Sequence, residues 1–262
     1  MKRVLTAVDA SACSPAVLNT ARAIGDLFGG ARVDALHVRE NGGDAAARAA
    51  RDAGLELREM TGEPIETIAA AAGDADVVAV VLGARGGHAG PRPAGHTALE
   101  LITRVGKPVV VVPPDARTAA IGRILTPLEG SEASSAAIAE TLALAASRDL
   151  CIVVLHVHAP ESVPPFEDQA HHEAPAWERE FAARFVSLPR TCVEIVERVG
   201  SAGDCVLAEA ADGGADLIVL GWSQDLSPGH AAVVREALAH STVPVLLVAA
   251  AADAAPDRPP RS

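Results

Sequence analysis

Short apolar runs alternate along the chain with longer stretches in which apolar residues recur every three or four positions. The runs over 77–82 and 109–112 contain no polar residue, as is typical of strands covered on both faces in a parallel sheet. The longer stretches are rich in Ala and are typical of amphipathic helices. Strands that alternate with helices in this way predict a doubly wound α/β fold with right-handed crossovers.

The same pattern sets the expected element boundaries. In the first half it predicts strands over 3–8, 33–38, 55–60, 76–82 and 108–112, and helices over 14–27, 44–53, 65–72 and 97–105. Ser14 is the expected N-cap of the first helix, because Pro15 suits the first helical position. In the second half we expect an irregular insertion over 159–175, a helix over 177–186 and a disordered tail over 251–262.

A sequence repeat divides the chain into two halves. Four segments recur in the same order: 3–11 at 123–131, 36–38 at 155–157, 75–83 at 215–221, and 107–112 at 243–248. The spacing of about 120 positions is too long for a solenoid unit and suits a small complete domain. The sequence therefore predicts two domains, over 1–115 and 121–250, with a Pro-rich linker that begins at 113–115.

Composition and charge narrow the classes of function. Hydrophobic residues make up 49% of the chain, aromatic residues only 2%, and the formal net charge is −12. Such a chain lacks the cations and stacking surfaces that nucleic-acid binders use. No apolar stretch approaches the roughly 20 residues that a membrane helix needs. We therefore expect neither nucleic acid nor a membrane as a partner.

The cysteines are scattered. Cys13, Cys151, Cys192 and Cys205 form no Cys-x-x-Cys pair. Free thiols of this kind are usual in a reducing compartment, so we expect unpaired cysteines and a cytoplasmic location. Cys13 has no partner base in the sequence pattern, and no Walker-type Lys follows the glycine-rich loop. The residues therefore predict a protein that is not an enzyme.

Two candidate ligand contacts follow strands of the predicted sheet. In doubly wound folds, ligands bind beyond the carboxyl ends of the strands. Asp9 follows the first strand, and a glycine-rich loop over 83–95 follows the fourth. Glycines let a backbone approach a ligand closely, and amides at a helix N-terminus attract anions. Asp9 could instead cap the following helix, and the glycines could serve only as turns, so both interpretations stay open here.

Histidines form a second candidate site. His156 and His158 alternate on one predicted strand, and His171 and His172 follow in the insertion with several Glu residues nearby. No ligand-spacing signature accompanies them, and paired His residues in a polar loop are usually solvated. His37 holds the place equivalent to His156 in the first half, which favours a packing role. We therefore expect no metal.

Several motifs carry a family resemblance. They are Leu-Thr-Ala-Val-Asp-Ala-Ser at 5–11, Leu-Thr-Pro-Leu-Glu-Gly-Ser at 125–131, Gly-Glu-Pro at 62–64 and Gly-Ala-Asp-Leu-Ile-Val-Leu-Gly at 214–221. On these motifs the chain resembles the universal stress protein family in its tandem form, over nearly all of 3–113 and 122–249. The resemblance implies two tandem doubly wound, five-stranded, mainly parallel sheets of the adenine nucleotide alpha hydrolase type, each with strand order 3-2-1-4-5.

The resemblance also implies a phosphate site in the first domain. Family members that bind ATP carry Gly, two residues, Gly, nine residues, Gly and then Ser or Thr. Gly83 and Gly86 match the first two glycines, while Gly95 follows after eight residues and His96 holds the hydroxyl position. Thr97 offers a hydroxyl one position later. By resemblance these five residues would hold the phosphates of ATP, with Mg²⁺ as a possible companion.

The adenosine end has its own counterparts. Asp9 matches the carboxylate that in the family meets the adenosine end of the nucleotide. Val38 matches the apolar residue that lines the adenine pocket, and Ala7 flanks the same pocket. The resemblance therefore implies that these three residues bind the nucleoside.

The second domain departs from the phosphate motif. Gly221 is followed by Trp-Ser-Gln-Asp, so Gln224 replaces the second glycine and Asp225 places a carboxylate in the loop. Ala231 stands at the third glycine position. A carboxylate near a triphosphate repels it, so we expect the second domain not to bind ATP.

The functional expectation is a cytoplasmic stress-response protein that is regulatory and catalyses at most slow ATP hydrolysis. In the family the fifth strands commonly pair across a two-fold axis. Here 109–112 and 245–248 are expected to pair within one chain or between the chains of a homodimer. Two alternatives stay open: a scaffold or interaction module that binds no nucleotide, and a metal or small-ligand sensor that uses 156–172.

Overall fold

The computed structural model describes residues 1–9, 11, 13–39, 44–85, 94–127, 150–158 and 191–250. The predicted insertion over 159–175, the helix over 177–186 and the tail over 251–262 lie outside the described residues.

The elements follow the predicted alternation. The first half contains β1 (Arg3–Ala7), α1 (Ser14–Leu27), β2 (Arg32–Arg39), α2 (Asp44–Asp52), β3 (Leu57–Thr61), α3 (Pro64–Ala72), β4 (Val77–Gly83), α4 (His96–Arg104) and β5 (Val109–Val112). The described part of the second half contains β6 (Arg123–Pro127), β7 (Leu150–His158), β8 (Thr191–Val199), α5 (Ala202–Asp212), β9 (Leu217–Trp222), α6 (Ala232–His240) and β10 (Val245–Ala249). Most first-half boundaries lie within one or two residues of the predicted ones.

Local sequence accounts for two helix starts. At α3, the Glu63 side chain accepts a hydrogen bond from the Glu66 backbone N–H at 2.8 Å, and Pro64 takes the first helical position. At α1, the predicted N-cap was wrong: Cys13 is the N-cap and Ser14 is already helical. The Ser14 hydroxyl instead donates to the Asp9 carbonyl at 2.7 Å, which ties the helix back to the end of β1.

The strand order confirms the predicted fold class. The strands lie in the order β3-β2-β1-β4-β5-β10-β9-β6-β7-β8 within one ten-stranded sheet. Each half therefore has the order 3-2-1-4-5, and every pairing inside a half is parallel. In this order the first strand lies at the centre of its half, next to the fourth. The carboxyl ends of β1 and β4 form the switch point where ligands bind in doubly wound sheets.

The two halves meet through their fifth strands. β5 and β10 pair antiparallel, with Val110 opposite Leu246. β5 is also paired with β4, and β10 with β9, so neither strand has a free edge for another chain. Because the central pairing is antiparallel, the carboxyl ends of the first-half strands point to one edge of the sheet and those of the second half to the opposite edge.

The core continues across this junction on both faces of the sheet. One buried cluster includes Leu36 and Leu101 from the first half with Leu155 and Leu220 from the second. A second buried cluster on the other face joins residues of β1, α1 and β5 to residues of β6, β9 and β10. The apolar strands of each half are therefore covered by side chains of both.

We predict that Leu246→Ala destabilises the protein by about 2–5 kcal/mol, because Leu246 is 1% exposed at the centre of the sheet. Val199→Ala, at a position 59% exposed, should change stability by less than about 0.5 kcal/mol. Denaturant titrations of both variants measure the difference. Equal effects of the two substitutions would contradict the buried central pairing.

Candidate functional site

The candidate residues of the nucleoside end lie at the carboxyl ends of neighbouring strands. Ala7 ends β1 and pairs with Leu36 of β2, and Val38 lies two residues further along β2. Ala7 and Val38 belong to the same face of the sheet as Ala84, which follows β4. Three strands thus present small apolar side chains on one face at the switch point.

Two further apolar residues extend this surface, and sequence reasoning did not name them. Met60 of β3 is the register partner of Val38. Met60 and Ile65, in the first turn of α3, are partly buried against the same cluster. Register partners on parallel strands point to the same face of the sheet. Met60 could therefore be found only once the register of β2 with β3 was known.

The glycine-rich loop begins as an extension of the sheet. Gly83 ends β4, and the Ala84 backbone N–H donates to the Val112 carbonyl at 2.7 Å. The Ala84 carbonyl then accepts from the Gly95 N–H at 2.7 Å. The two ends of the loop are therefore joined directly, and Gly95 uses its amide on the protein itself. Gly86, the second predicted glycine, lies outside the described residues.

The first turn of α4 presents its polar groups to solvent. Gly95 is the N-cap, and His96 and Thr97 are both exposed. The first amides of a helix have no acceptor within the helix, and the helix dipole adds positive potential there. Among the described residues of this turn, the N–H groups at 96–98 and the Thr97 hydroxyl are thus the donors without a partner. This arrangement suits an anion, with Gly95 as a positioning residue rather than a donor.

Asp9 is exposed and takes part in a turn. Its Oδ1 accepts from the Ser11 backbone N–H at 3.0 Å and from the Ser11 hydroxyl. The Ser14 hydroxyl also lies 3.5 Å from this oxygen. Among the described residues only Oδ1 is engaged. The carboxylate therefore shapes the turn between β1 and α1, and its second oxygen is available for a ligand.

His37 supports the same edge from within. It is 5% exposed, and its Nδ1 lies 2.8 Å from the Val8 carbonyl. That contact links β2 to the residue before Asp9. His156, at the equivalent place in β7, stacks edge-on against His158 with ring centroids 4.4 Å apart. Burial and the neighbouring His158 lower the pKa of His156.

The equivalent loop in the second half has a different chemistry. Gln224 stands where the first half has its second glycine, and its backbone φ is +58°, in the left-handed region that favours glycine. Its Nε2 donates to the carbonyls of Ile102 and Val105 at 2.9 and 3.0 Å. These carbonyls end α4 of the first half, where the helix lacks partners of its own. Gln224 therefore binds the two halves together.

Other groups of that loop form hydrogen bonds within the second half. Asp225 Oδ1 accepts from the Ser227 N–H at 2.8 Å. The Ser227 side chain and then this backbone N–H lower the pKa of Asp225. The Arg235 guanidinium donates to the Leu226 carbonyl at 3.1 Å and is thereby directed into the loop. Ala231 is the N-cap of α6 at φ +49°, in the place that Gly95 holds in the first half. A phosphate would meet a negative carboxylate here.

Within the described ranges no group of three or more His, Cys, Asp or Glu side chains is placed to hold a metal ion. His158 Nε2 lies 4.0 Å from Glu197, while His171 and His172 fall outside those ranges. None of the helices described is both long and apolar enough to cross a membrane.

Comparison with known proteins identifies the family. A sequence model of the universal stress protein family matches residues 39–113 and 120–249, which is more than half of the chain. The chain belongs to the universal stress protein family. The tandem resemblance is therefore confirmed, since the family is matched once in each half.

Solved structures agree on the fold of this universal stress protein. A universal stress protein from Archaeoglobus fulgidus DSM 4304 is similar at 15% identity and a TM-score of 0.66, covering 94% of this chain and 98% of that one. A functionally unknown protein from Pseudomonas aeruginosa PAO1 is similar at 16% identity and a TM-score of 0.66, covering 95% and 93%. At such identities the likeness establishes the fold alone. No curated protein sequence matches significantly.

The two halves of this universal stress protein thus share a framework but differ in the loop that follows the fourth strand of each half. Both have an N-cap at the same distance before the fifth strand, Gly95 and Ala231. In the first half, the exposed start of α4 lies at the same edge as the Asp9 turn and the apolar face formed by Ala7 and Val38. Seven of the eight candidate residues lie around the first-half edge of the sheet: Ala7, Asp9, Val38, Gly83, Gly95, His96 and Thr97. Gly86 is outside the described residues.

We predict that Gln224→Ala destabilises this protein by about 1–3 kcal/mol, because two helix-end carbonyls lose their donor. Gln224→Gly should cost about 1 kcal/mol less than Gln224→Ala, since glycine adopts the positive φ without strain. Urea denaturation of the two variants measures this order. The reverse order, or no loss in either variant, would contradict the contact.

Proposed function

We propose that this protein binds ATP or a related adenine nucleotide at the first-half edge, as a cytoplasmic stress-response regulator rather than an enzyme. The observation that carries the proposal is the exposed first turn of α4 beside the carboxyl ends of β1, β2 and β4. A phosphate chain needs donors and positive potential, which the turn supplies. An adenine ring needs an apolar surface, which Ala7 and Val38 supply.

Each residue then has a role. The amides at 96–98 and the Thr97 hydroxyl bind the phosphates, with His96 next to them in the same exposed turn. Gly83 ends β4 where the loop begins, and the bond of the Gly95 N–H to the Ala84 carbonyl joins the loop ends and so positions α4. Gly86 would lie close to the phosphate chain. Asp9 accepts hydrogen bonds from the ribose hydroxyls through its free oxygen. Any Mg²⁺ would be held chiefly by the phosphates and water, as is usual for this ion.

The second half serves as a structural partner in this proposal. Its loop carries Asp225. The side chains of Gln224 and Arg235 donate hydrogen bonds to backbone carbonyls of the protein itself. We assign one nucleotide to each chain, and we retain 1–115 and 121–250 as domains that form a pseudo-dimer through β5 and β10. The four free cysteines support a reducing, cytoplasmic compartment. ATP hydrolysis, if measured, is slow.

Calorimetric titration with ATP and Mg²⁺ should give one binding site per chain. Thr97→Val should weaken the affinity for ATP about 10- to 100-fold, because a hydrogen bond to a charged phosphate is lost. Thr103→Val is the matched control, since Thr103 lies on the same helix and donates only to helix carbonyls. Absence of heat and of a thermal shift at millimolar ATP would favour the scaffold function, and a response to Zn²⁺ alone would favour the metal sensor.

A second pair of variants separates the two roles of Asp9. Asp9→Ala removes the carboxylate and its turn, whereas Ser11→Ala weakens the turn and keeps the carboxylate. We expect Asp9→Ala to weaken ATP binding about tenfold or more and Ser11→Ala to leave it nearly unchanged. Thermal melts of both variants report the effect on the turn. If both variants weaken binding equally, Asp9 acts only as a cap.

A further inference from the structure

Two cysteines that are distant in sequence meet on neighbouring strands of the second half. Cys151 of β7 and Cys192 of β8 are register partners, and their Sγ atoms lie 3.2 Å apart. Directly opposite residues of adjacent strands have Cα atoms about 4.8 Å apart, which is within the range of about 4.4–6.8 Å that a disulfide spans. The backbone is therefore already placed for a bond between them. Both thiols are free in this structure.

The two thiols differ in their exposure to solvent. β8 is the edge strand of the sheet, and Cys192 is exposed on it. Cys151 is half-buried one strand inward. Burial, followed by the neighbouring Cys192, raises the pKa of Cys151. The two thiols thus have the arrangement of an accessible cysteine with a resolving cysteine beside it.

A cation lies next to the inner thiol. Arg123 of β6 is the register partner of Cys151, and its Nη1 lies 3.4 Å from the Cys151 sulfur. The Arg123 Nη2 is held by Glu194 at 2.6 Å, which fixes the guanidinium in place. A fixed guanidinium stabilises the Cys151 thiolate when its proton leaves, so it assists the step in which Cys151 attacks.

We propose that Cys151 and Cys192 are a modification site that forms a reversible disulfide by exchange with a low-molecular-weight disulfide such as oxidised glutathione. The Cys192 thiolate attacks one sulfur of the oxidant and releases one glutathione thiolate, which leaves a mixed disulfide on Cys192. Cys151 then loses its proton to solvent and attacks Cys192 Sγ, which releases the second glutathione. The protein loses two protons and two electrons, and the oxidant takes them up to become two thiols.

The bond would join positions 41 residues apart and fasten the edge strand to its neighbour. A cross-link over such a loop restricts the unfolded chain and so stabilises the fold. The covalent loop would comprise residues 151–192. The site lies in the second half, apart from the first-half edge that carries the proposed nucleotide function, so the two proposals stand or fall independently.

The test uses the purified full chain in oxidised glutathione, followed by thiol alkylation and mass spectrometry. We expect two of the four thiols to become unreactive, a mass lower by about 2 Da and a single linked peptide pair containing Cys151 and Cys192. The Tm should rise by about 5–10 °C, and dithiothreitol should reverse every change.

Matched variants decide the assignment. Cys192→Ser, at an exposed position that tolerates the change, should abolish the bond and the Tm shift, while Cys205→Ser should keep both. Four reactive thiols after oxidation would overturn the proposal. A stable glutathione adduct on Cys192, or a bond between two chains, would overturn it as well, because either shows that Cys151 does not resolve the adduct.

Discussion

The antiparallel pairing of β5 with β10 is the constraint on which the rest of this structure depends. Both strands are apolar along nearly their whole length and are buried on both faces and both edges, so neither half could expose its fifth strand to water without cost. Their pairing makes the two halves one continuous ten-stranded sheet. The pairing also reverses strand direction, so the two switch points face opposite edges of the sheet.

The two switch points show how a duplicated framework diverges. In both halves a helix begins at the same distance before the fifth strand. In the first half it leaves amides and a hydroxyl exposed. In the second half Gln224 has a positive backbone φ, which favours glycine, and its side chain donates to the carbonyls at the end of α4. The position that aligns with Gly86 thus strengthens the junction of the halves when it is occupied by Gln224.

Sequence reasoning recovered the fold because its signals are local or periodic. All-apolar runs predicted central strands. The motif put Gly95 and Ala231 at the third glycine position, and in the structure each is the N-cap of the helix that follows. Contacts between distant residues were missed. The bond of Gln224 to α4 and the meeting of Cys151 with Cys192 depend on strand register and on the junction of the halves, which no local pattern encodes. Ser14 was misplaced as an N-cap because its hydroxyl bonds backward to Asp9.

The central claim is that one half binds an adenine nucleotide and the other does not. A crystal structure of the full chain grown with excess ATP and Mg²⁺ tests it most directly. The account predicts phosphate density against the amides at 96–98 and an adenine ring against Ala7 and Val38, with the loop at 221–231 unchanged. Nucleotide density at 221–231, or an empty first-half edge at saturating ATP, would contradict it.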